Sequence, residues 1–131
     1  MSAAEPPSLR LALRGSAAVE LGTGLALLVV PSVVLDVLIG PPSNSGTELV
    51  ARMLGAALFA LGVAGWMAGA TPQRGLTLAF VSYNVVATVI LVVGGLSGSA
   101  EGSLLWPAAA LHAVVSAALI TGALRAASPR S

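Results

Sequence analysis

Four long apolar runs follow one another along the 131 residues of the chain, separated by short segments rich in Gly, Pro and Ser. Each run approaches the roughly 20 residues that a helix needs to cross the hydrocarbon core of a bilayer. None alternates as a barrel strand does, and backbone polar groups in lipid must be satisfied internally. The pattern predicts an all-α integral membrane four-helix bundle. It forms a single transmembrane domain, residues 1–131, with spans at about 9–30, 49–70, 76–95 and 104–124.

A shorter apolar segment, PSVVLDVLIG, follows the first run. Pro31 disfavours helical geometry at Val30, and Asp36 favours the headgroup region over the hydrocarbon. We therefore expect a separate short interfacial helix over about 31–39. The alternative is a longer first span that continues to Ile39, which would shift Glu20 toward the inner interface.

Cap and turn residues predict where the later spans begin. Thr47 followed by Glu48 is typical of a helix start, and so is Thr71 followed by Pro72. Pro107 is expected in the first turn of the fourth span, where proline is tolerated. These signals predict short connections between the spans.

Composition supports lipid as the surrounding medium. Apolar residues make up 56% of the chain and charged residues only 8%, against about 25% charged in ordinary soluble domains. The net charge of +1, without a basic run, argues against nucleic acid as a partner. The absence of cysteine excludes thiolate metal sites and a cysteine nucleophile.

The distribution of arginines predicts the orientation, because short loops rich in Lys and Arg stay in the cytoplasm. Only Arg52 disagrees with a multi-pass topology that places both termini in the cytoplasm. The arginines that agree are Arg10, Arg14, Arg74, Arg125 and Arg130.

Polar side chains collect at one depth in the predicted spans. With a rise of about 1.5 Å per residue, Glu20 lies about 13 Å from the inner end of its span, and Tyr83 and Asn84 lie about 11 to 12 Å from the inner end of theirs. An ionised acid near the bilayer centre costs about 3 kcal/mol or more, which makes it a functional-site hypothesis. The predicted layer consists of Glu20, Thr23, Tyr83, Asn84, Thr88, His112 and Ser116.

A structural interpretation of the same layer stands beside the functional one. Polar side chains between membrane helices often act as packing glue worth roughly 1 kcal/mol each, and this interpretation is favoured for Asn84, Thr88 and Ser116. For Glu20 both interpretations remain open. We expect the Glu20 side chain to point into the bundle, within hydrogen-bonding or single-water reach of at least one of Tyr83, Asn84, His112 or Arg52.

Small residues along the second span, among them Gly55, Gly62 and Gly65, indicate close helix packing, either within the bundle or in a homo-oligomer. Other chemistry lacks a sequence signal. No phosphate-binding loop, histidine pair for haem or recognisable metal set is present. No cofactor is therefore predicted, although a quinone or another lipophilic ligand stays open, and the missing catalytic set favours a protein that is not an enzyme without deciding the question.

The layout resembles small four-span bacterial membrane proteins of the DoxX-like kind. The resemblance is carried by ELVARMLGAALFALGVAGWMAG in the second span, YNVV in the third and LLWPAAALH in the fourth. It implies a four-helix bundle in a bacterial plasma membrane and implies no particular activity.

Three functions are compatible with these features. The first is an accessory or interaction subunit that docks onto a membrane protein partner, favoured by the small size and the missing catalytic set. The second is a binding protein or enzyme for a membrane-soluble molecule such as a quinone or lipid. The third is a small exporter or proton-coupled transporter, for which discontinuous helices are expected.

Overall fold

A computed structural model of the protein describes residues 7–41, 44–68 and 74–128. The four long helices each contain 23 residues and are long and apolar enough to cross a membrane. The predicted all-α architecture with four spans is therefore confirmed. In chain order the helices are α1 (Pro7–Val29), α2 (Pro31–Leu38), α3 (Ser45–Met67), α4 (Arg74–Leu96) and α5 (Leu105–Ala127).

The first span breaks where the sequence predicts a break. Val30 leaves helical geometry, with φ −131° and ψ 55°, and Pro31 becomes the first residue of α2. Proline suits this position because the first residue of a helix has no use for an amide N–H. The segment is thus a separate short helix, and Ile39 caps its C-terminal end instead of belonging to it.

The start of α3 corrects a detail of the prediction. Asn44 is the N-cap, and its Oδ1 accepts a hydrogen bond of 3.0 Å from the backbone N–H of Thr47. Thr47 is therefore not the cap. α3 begins at Ser45, four residues before the predicted span start at about 49. Pro107 lies in the first turn of α5, as expected. The predicted start at Thr71 and Pro72 lies outside the described residues.

Glycines set the distance between α1 and α3. A Cβ atom built on Gly62 would lie 2.8 Å from the backbone N of Leu21 and 2.9 Å from the carbonyl O of Ala17. A Cβ atom on Gly24 would lie 2.6 Å from the backbone N of Phe59. The small residues of the second span therefore serve packing inside the chain.

The other long helices pack less evenly. α4 packs mainly against α5, and α1 also contacts α5, whereas α3 and α4 scarcely approach each other. The ring of Phe80 on α4 reaches α3 at Gly65, where an added Cβ atom would lie 2.6 Å from its Cζ. A core cluster joins α1, α4 and α5 through Leu9, Leu13, Ala17, Phe80 and Leu119.

Backbone hydrogen bonds join α2 to the connection between α4 and α5. The N–H of Glu101 donates to the carbonyl of Ile39 over 3.1 Å, and the N–H of Leu104 donates to the carbonyl of Val37 over 2.7 Å. Gly102 packs so closely that a Cβ atom there would overlap the Val37 carbonyl. Both connections thus lie at one end of the bundle, called the α2 end below.

Candidate functional site

Asn84 lies at the centre of a hydrogen-bond chain that crosses three helices. Its side chain is buried, and its Nδ2 donates to the Phe80 carbonyl over 2.9 Å and to Ser16 Oγ on α1 over 3.2 Å. Its Oδ1 lies 2.8 Å from Nδ1 of His112 on α5. One carboxamide therefore connects α1, α4 and α5.

The same contacts assign the tautomer of His112. Both N–H groups of the Asn84 amide already have acceptors, so its oxygen must accept, and Nδ1 of the neutral imidazole must carry the proton. Nε2 is then the nitrogen with a free lone pair. His112 is half-buried, and it presents a hydrogen-bond acceptor at Nε2.

Glu20 lies one helical turn beyond Ser16 on α1, on the same face. Only 1% of the residue is exposed, so the side chain points into the bundle as expected. Neither carboxyl oxygen meets the geometry of a hydrogen bond with any described residue. The Tyr83 hydroxyl is the neighbouring polar group that interacts with this carboxyl group.

Tyr83 connects the acid to the histidine. Its ring meets the imidazole of His112 edge to face, with ring centroids 5.6 Å apart and an interplanar angle of 81°. The half-buried ring also packs against the apolar cluster of Leu27, Ala51 and Leu58 on α1 and α3. We call Ser16, Glu20, Tyr83, Asn84 and His112 the polar cluster.

Thr88 and Ser116, two predicted members of the layer, hydrogen-bond within their own helices. Thr88 Oγ1 donates to the carbonyl of Asn84 and Ser116 Oγ to the carbonyl of His112, each over 2.8 Å. Such bonds satisfy a hydroxyl in lipid without a partner helix. The contacts agree with the structural interpretation of these two residues.

Arg52 does not join the polar cluster. Its Nε donates to the carbonyl of Leu28 over 3.3 Å, and its Nη1 lies 3.6 Å from a carboxylate oxygen of Glu48. Because α1 ends at Val29, the Leu28 carbonyl has no partner in its own helix. A cation there also complements the C-terminal end of the helix dipole. Arg52 therefore caps the C-terminal end of α1. Leu28 is eight residues from Glu20, about 12 Å along the helix, so this contact lies away from the polar cluster.

Ser16 is the member of the polar cluster that the sequence analysis missed. A serine near the predicted inner end of a span lies close to the interface, where a polar side chain is common and does not indicate a site. Its spacing of four residues from Glu20 was the available signal, since that spacing places both side chains on one helix face.

An apolar groove of about 410 Å³ lies near the α2 end, between the second half of α4 and the connection that follows it. None of its lining residues belongs to the polar cluster. They include Ile39, Val89, Ile90, Val93, Ala100 and Leu105. Among residues 7–41, 44–68 and 74–128, no three His, Asp or Glu side chains are grouped to hold a metal ion.

No protein-family model matches the chain, and neither the curated proteins nor the solved structures contain a match to it.

Proposed function

We propose that this small multi-pass protein of the bacterial plasma membrane, with both termini in the cytoplasm, binds a membrane-soluble molecule at the polar cluster. The ligand belongs to the class of quinones and lipids, and it carries a polar group that completes the hydrogen bonding of Glu20. The observation that carries the proposal is the Glu20 carboxyl group, 1% exposed and without a hydrogen-bond partner among the described residues.

Buried polar groups in proteins are paired in about nine cases of ten or more. Packing glue satisfies its own partners, as Asn84 does with three contacts. Glu20 does not, although it lies one helical turn from Ser16, which accepts a hydrogen bond from Asn84. An unpaired acid beside a tyrosine hydroxyl and a half-buried histidine offers donors and acceptors to a ligand's polar group.

The interaction subunit, the function ranked first from the sequence, gains no support from the glycines of α3. Gly55, Gly62 and Gly65 are buried and pack against α1 and α4. A transporter is also less favoured, because the break at Val30 follows a helix of full spanning length instead of interrupting one. The DoxX-like resemblance supports the proposed membrane and assigns no ligand.

Purification in mild detergent tests the proposal. Wild type, Glu20→Gln and Thr88→Val are compared by native mass spectrometry and by solvent extraction of bound small molecules. We expect a defined molecule to accompany wild type and Thr88→Val, and to be lost from Glu20→Gln. Thr88→Val is the matched control because its hydroxyl bonds only its own helix. An identical set of molecules in all three proteins contradicts the proposal, and a stoichiometric protein partner instead would favour the interaction subunit.

A further inference from the structure

Apolar clusters close the polar cluster toward both ends of the bundle. Leu9 and Leu13, with Phe80 and Leu119, lie on the N-terminal side of Glu20 along α1. Leu27 and its neighbours on α3 lie on the other side. Every one of these core side chains is at most 5% exposed. Apolar core side chains therefore lie between Glu20 and each end of the bundle.

Around the circumference of the bundle, three helix pairs are in contact beside the polar cluster: α1–α3, α1–α5 and α4–α5. Backbone contact at Gly24 and Gly62 closes α1 against α3, and α5 packs against both α1 and α4. The α3–α4 pair differs, because these two helices scarcely approach each other. We call the space between them the α3–α4 seam.

Tyr83 occupies this seam. Its ring packs against the cluster that Leu27 of α1 forms with Ala51 and Leu58 of α3, and its hydroxyl lies near the Glu20 carboxyl group. Tyr83 is half-buried, whereas Glu20 is 1% exposed. Tyr83 is thus a partly exposed group that lies beside the buried acid.

We propose that Glu20 is reached from the hydrocarbon of the bilayer through the α3–α4 seam, and that the Tyr83 ring is the movable lid of this entrance. The inference deepens the proposed function, on which its biological meaning rests, because it names lateral entry from lipid as the route of the ligand. The route selects molecules that partition into the membrane and excludes ions and water-soluble metabolites.

Carboxyl-directed reagents test the route without knowledge of the ligand. Wild-type protein in lipid vesicles is treated either with dicyclohexylcarbodiimide, which dissolves in the bilayer, or with a water-soluble carbodiimide and an amine. Labelled residues are mapped by peptide mass spectrometry. We expect the lipid-soluble reagent to modify Glu20, and the water-soluble reagent to modify the exposed Asp36 and Glu101 but not Glu20. Modification of Glu20 by the water-soluble reagent at a similar rate, or its resistance to the lipid-soluble one, overturns the proposal.

Variants of Tyr83 test the lid. Tyr83→Ala should raise the rate of Glu20 labelling roughly tenfold, which corresponds to about 1.4 kcal/mol for moving the ring aside. Tyr83→Phe keeps the ring and should raise the rate far less than Tyr83→Ala does. Val86→Ala, an exposed position on the same helix, is the control for loss of side-chain volume. Equal rates in all four proteins refute the lid, and Glu20→Gln confirms the assignment of the labelled residue.

The outcomes separate the two proposals. Labelling through the seam without a copurifying molecule would leave the route standing and contradict the ligand. A bound molecule together with access from water would leave the ligand standing and contradict the route.

Discussion

The side chains of Asn84 and His112 are joined by a 2.8 Å hydrogen bond between Oδ1 and Nδ1, which ties α4 to α5 and fixes which imidazole nitrogen carries the proton. The amide of Asn84 also reaches Ser16 on α1. One uncharged residue thus orients the histidine and holds three spans in register. Asn84 and its partners are therefore held in place by hydrogen bonds, whereas the Glu20 carboxyl group and Nε2 of His112 have unused hydrogen-bonding capacity.

Replacing Asn84 with alanine should destabilise the bundle by about 1 to 3 kcal/mol, because the His112 N–H and the Ser16 hydroxyl lose their buried partner. Reversible unfolding in mixed detergent micelles measures the change. Thr88→Val removes a hydroxyl that bonds only within α4 and should stay within about 0.5 kcal/mol of wild type. Equal effects of the two substitutions would show that the three-helix chain has no special role.

Replacing Glu20 with leucine should stabilise the ligand-free protein by about 1 to 2 kcal/mol, since a buried and unpaired polar group is removed. An acid acting as packing glue would give the opposite sign, because its partners would be left unpaired. The free energy of unfolding of delipidated protein distinguishes the two. A clear loss of stability in Glu20→Leu would show that the carboxyl group has a structural partner.

Gly24→Ala and Gly22→Ala form a matched pair on α1. The added methyl group at position 24 meets the α3 backbone at Phe59 and Gly55, whereas nothing lies within 4 Å at position 22. Gly24→Ala should cost about 1 to 3 kcal/mol by overpacking. Gly22→Ala should be neutral or stabilise by up to about 1 kcal/mol, because alanine favours the helix. Thermal unfolding of both variants is the measurement, and similar costs would contradict the close α1–α3 contact.

Arg52→Gln should lower stability by about 0.3 to 1 kcal/mol, since a neutral side chain caps the end of α1 less well than a cation. It should leave the molecules bound to the purified protein unchanged, because Arg52 lies away from the polar cluster. Native mass spectrometry beside an unfolding curve checks both statements. If Arg52→Gln lost the bound molecule while keeping the stability of wild type, Arg52 would have to be counted among the binding residues.

Reporter fusions at each terminus and in each connection should place both termini in the cytoplasm, in agreement with five of the six arginines. The connection after Met67 should share that side, and the α2 end should lie on the opposite side. A terminus found outside the cell would reverse the orientation and leave the bundle itself untouched.

The helices of the fold could be predicted from the sequence, because each span is a long apolar run that ends at turn residues. Pro31 marked the break after α1, and Asn84 and His112 drew attention through their depth. The rotation of each helix and the order in which helices touch were not readable. Helices that are apolar on all sides have no amphipathic stripe that identifies the inward face. The gap between α3 and α4 and the use of Ser16 depend on those rotations.

Capping details were missed for a related reason. Asn44 and Thr47 both suit a helix start, and only the path of the chain before α3 decides between them. The partner of Arg52 depends on where α1 ends relative to α3. The contact between Arg52 and Leu28 joins residues distant in sequence, so local signals could not identify it.

The backbone hydrogen bonds between α2 and the connection after α4 have a consequence for biogenesis. The carbonyls of Val37 and Ile39 are made early in synthesis, whereas the amides that bind them belong to Leu104 and Glu101. During translation these carbonyls lack their hydrogen-bond partners until α3 and α4 have been made and the connection after α4 has reached the same side of the membrane. These hydrogen bonds therefore form only after α4 has been made, and a chain truncated before Glu101 leaves both carbonyls without them.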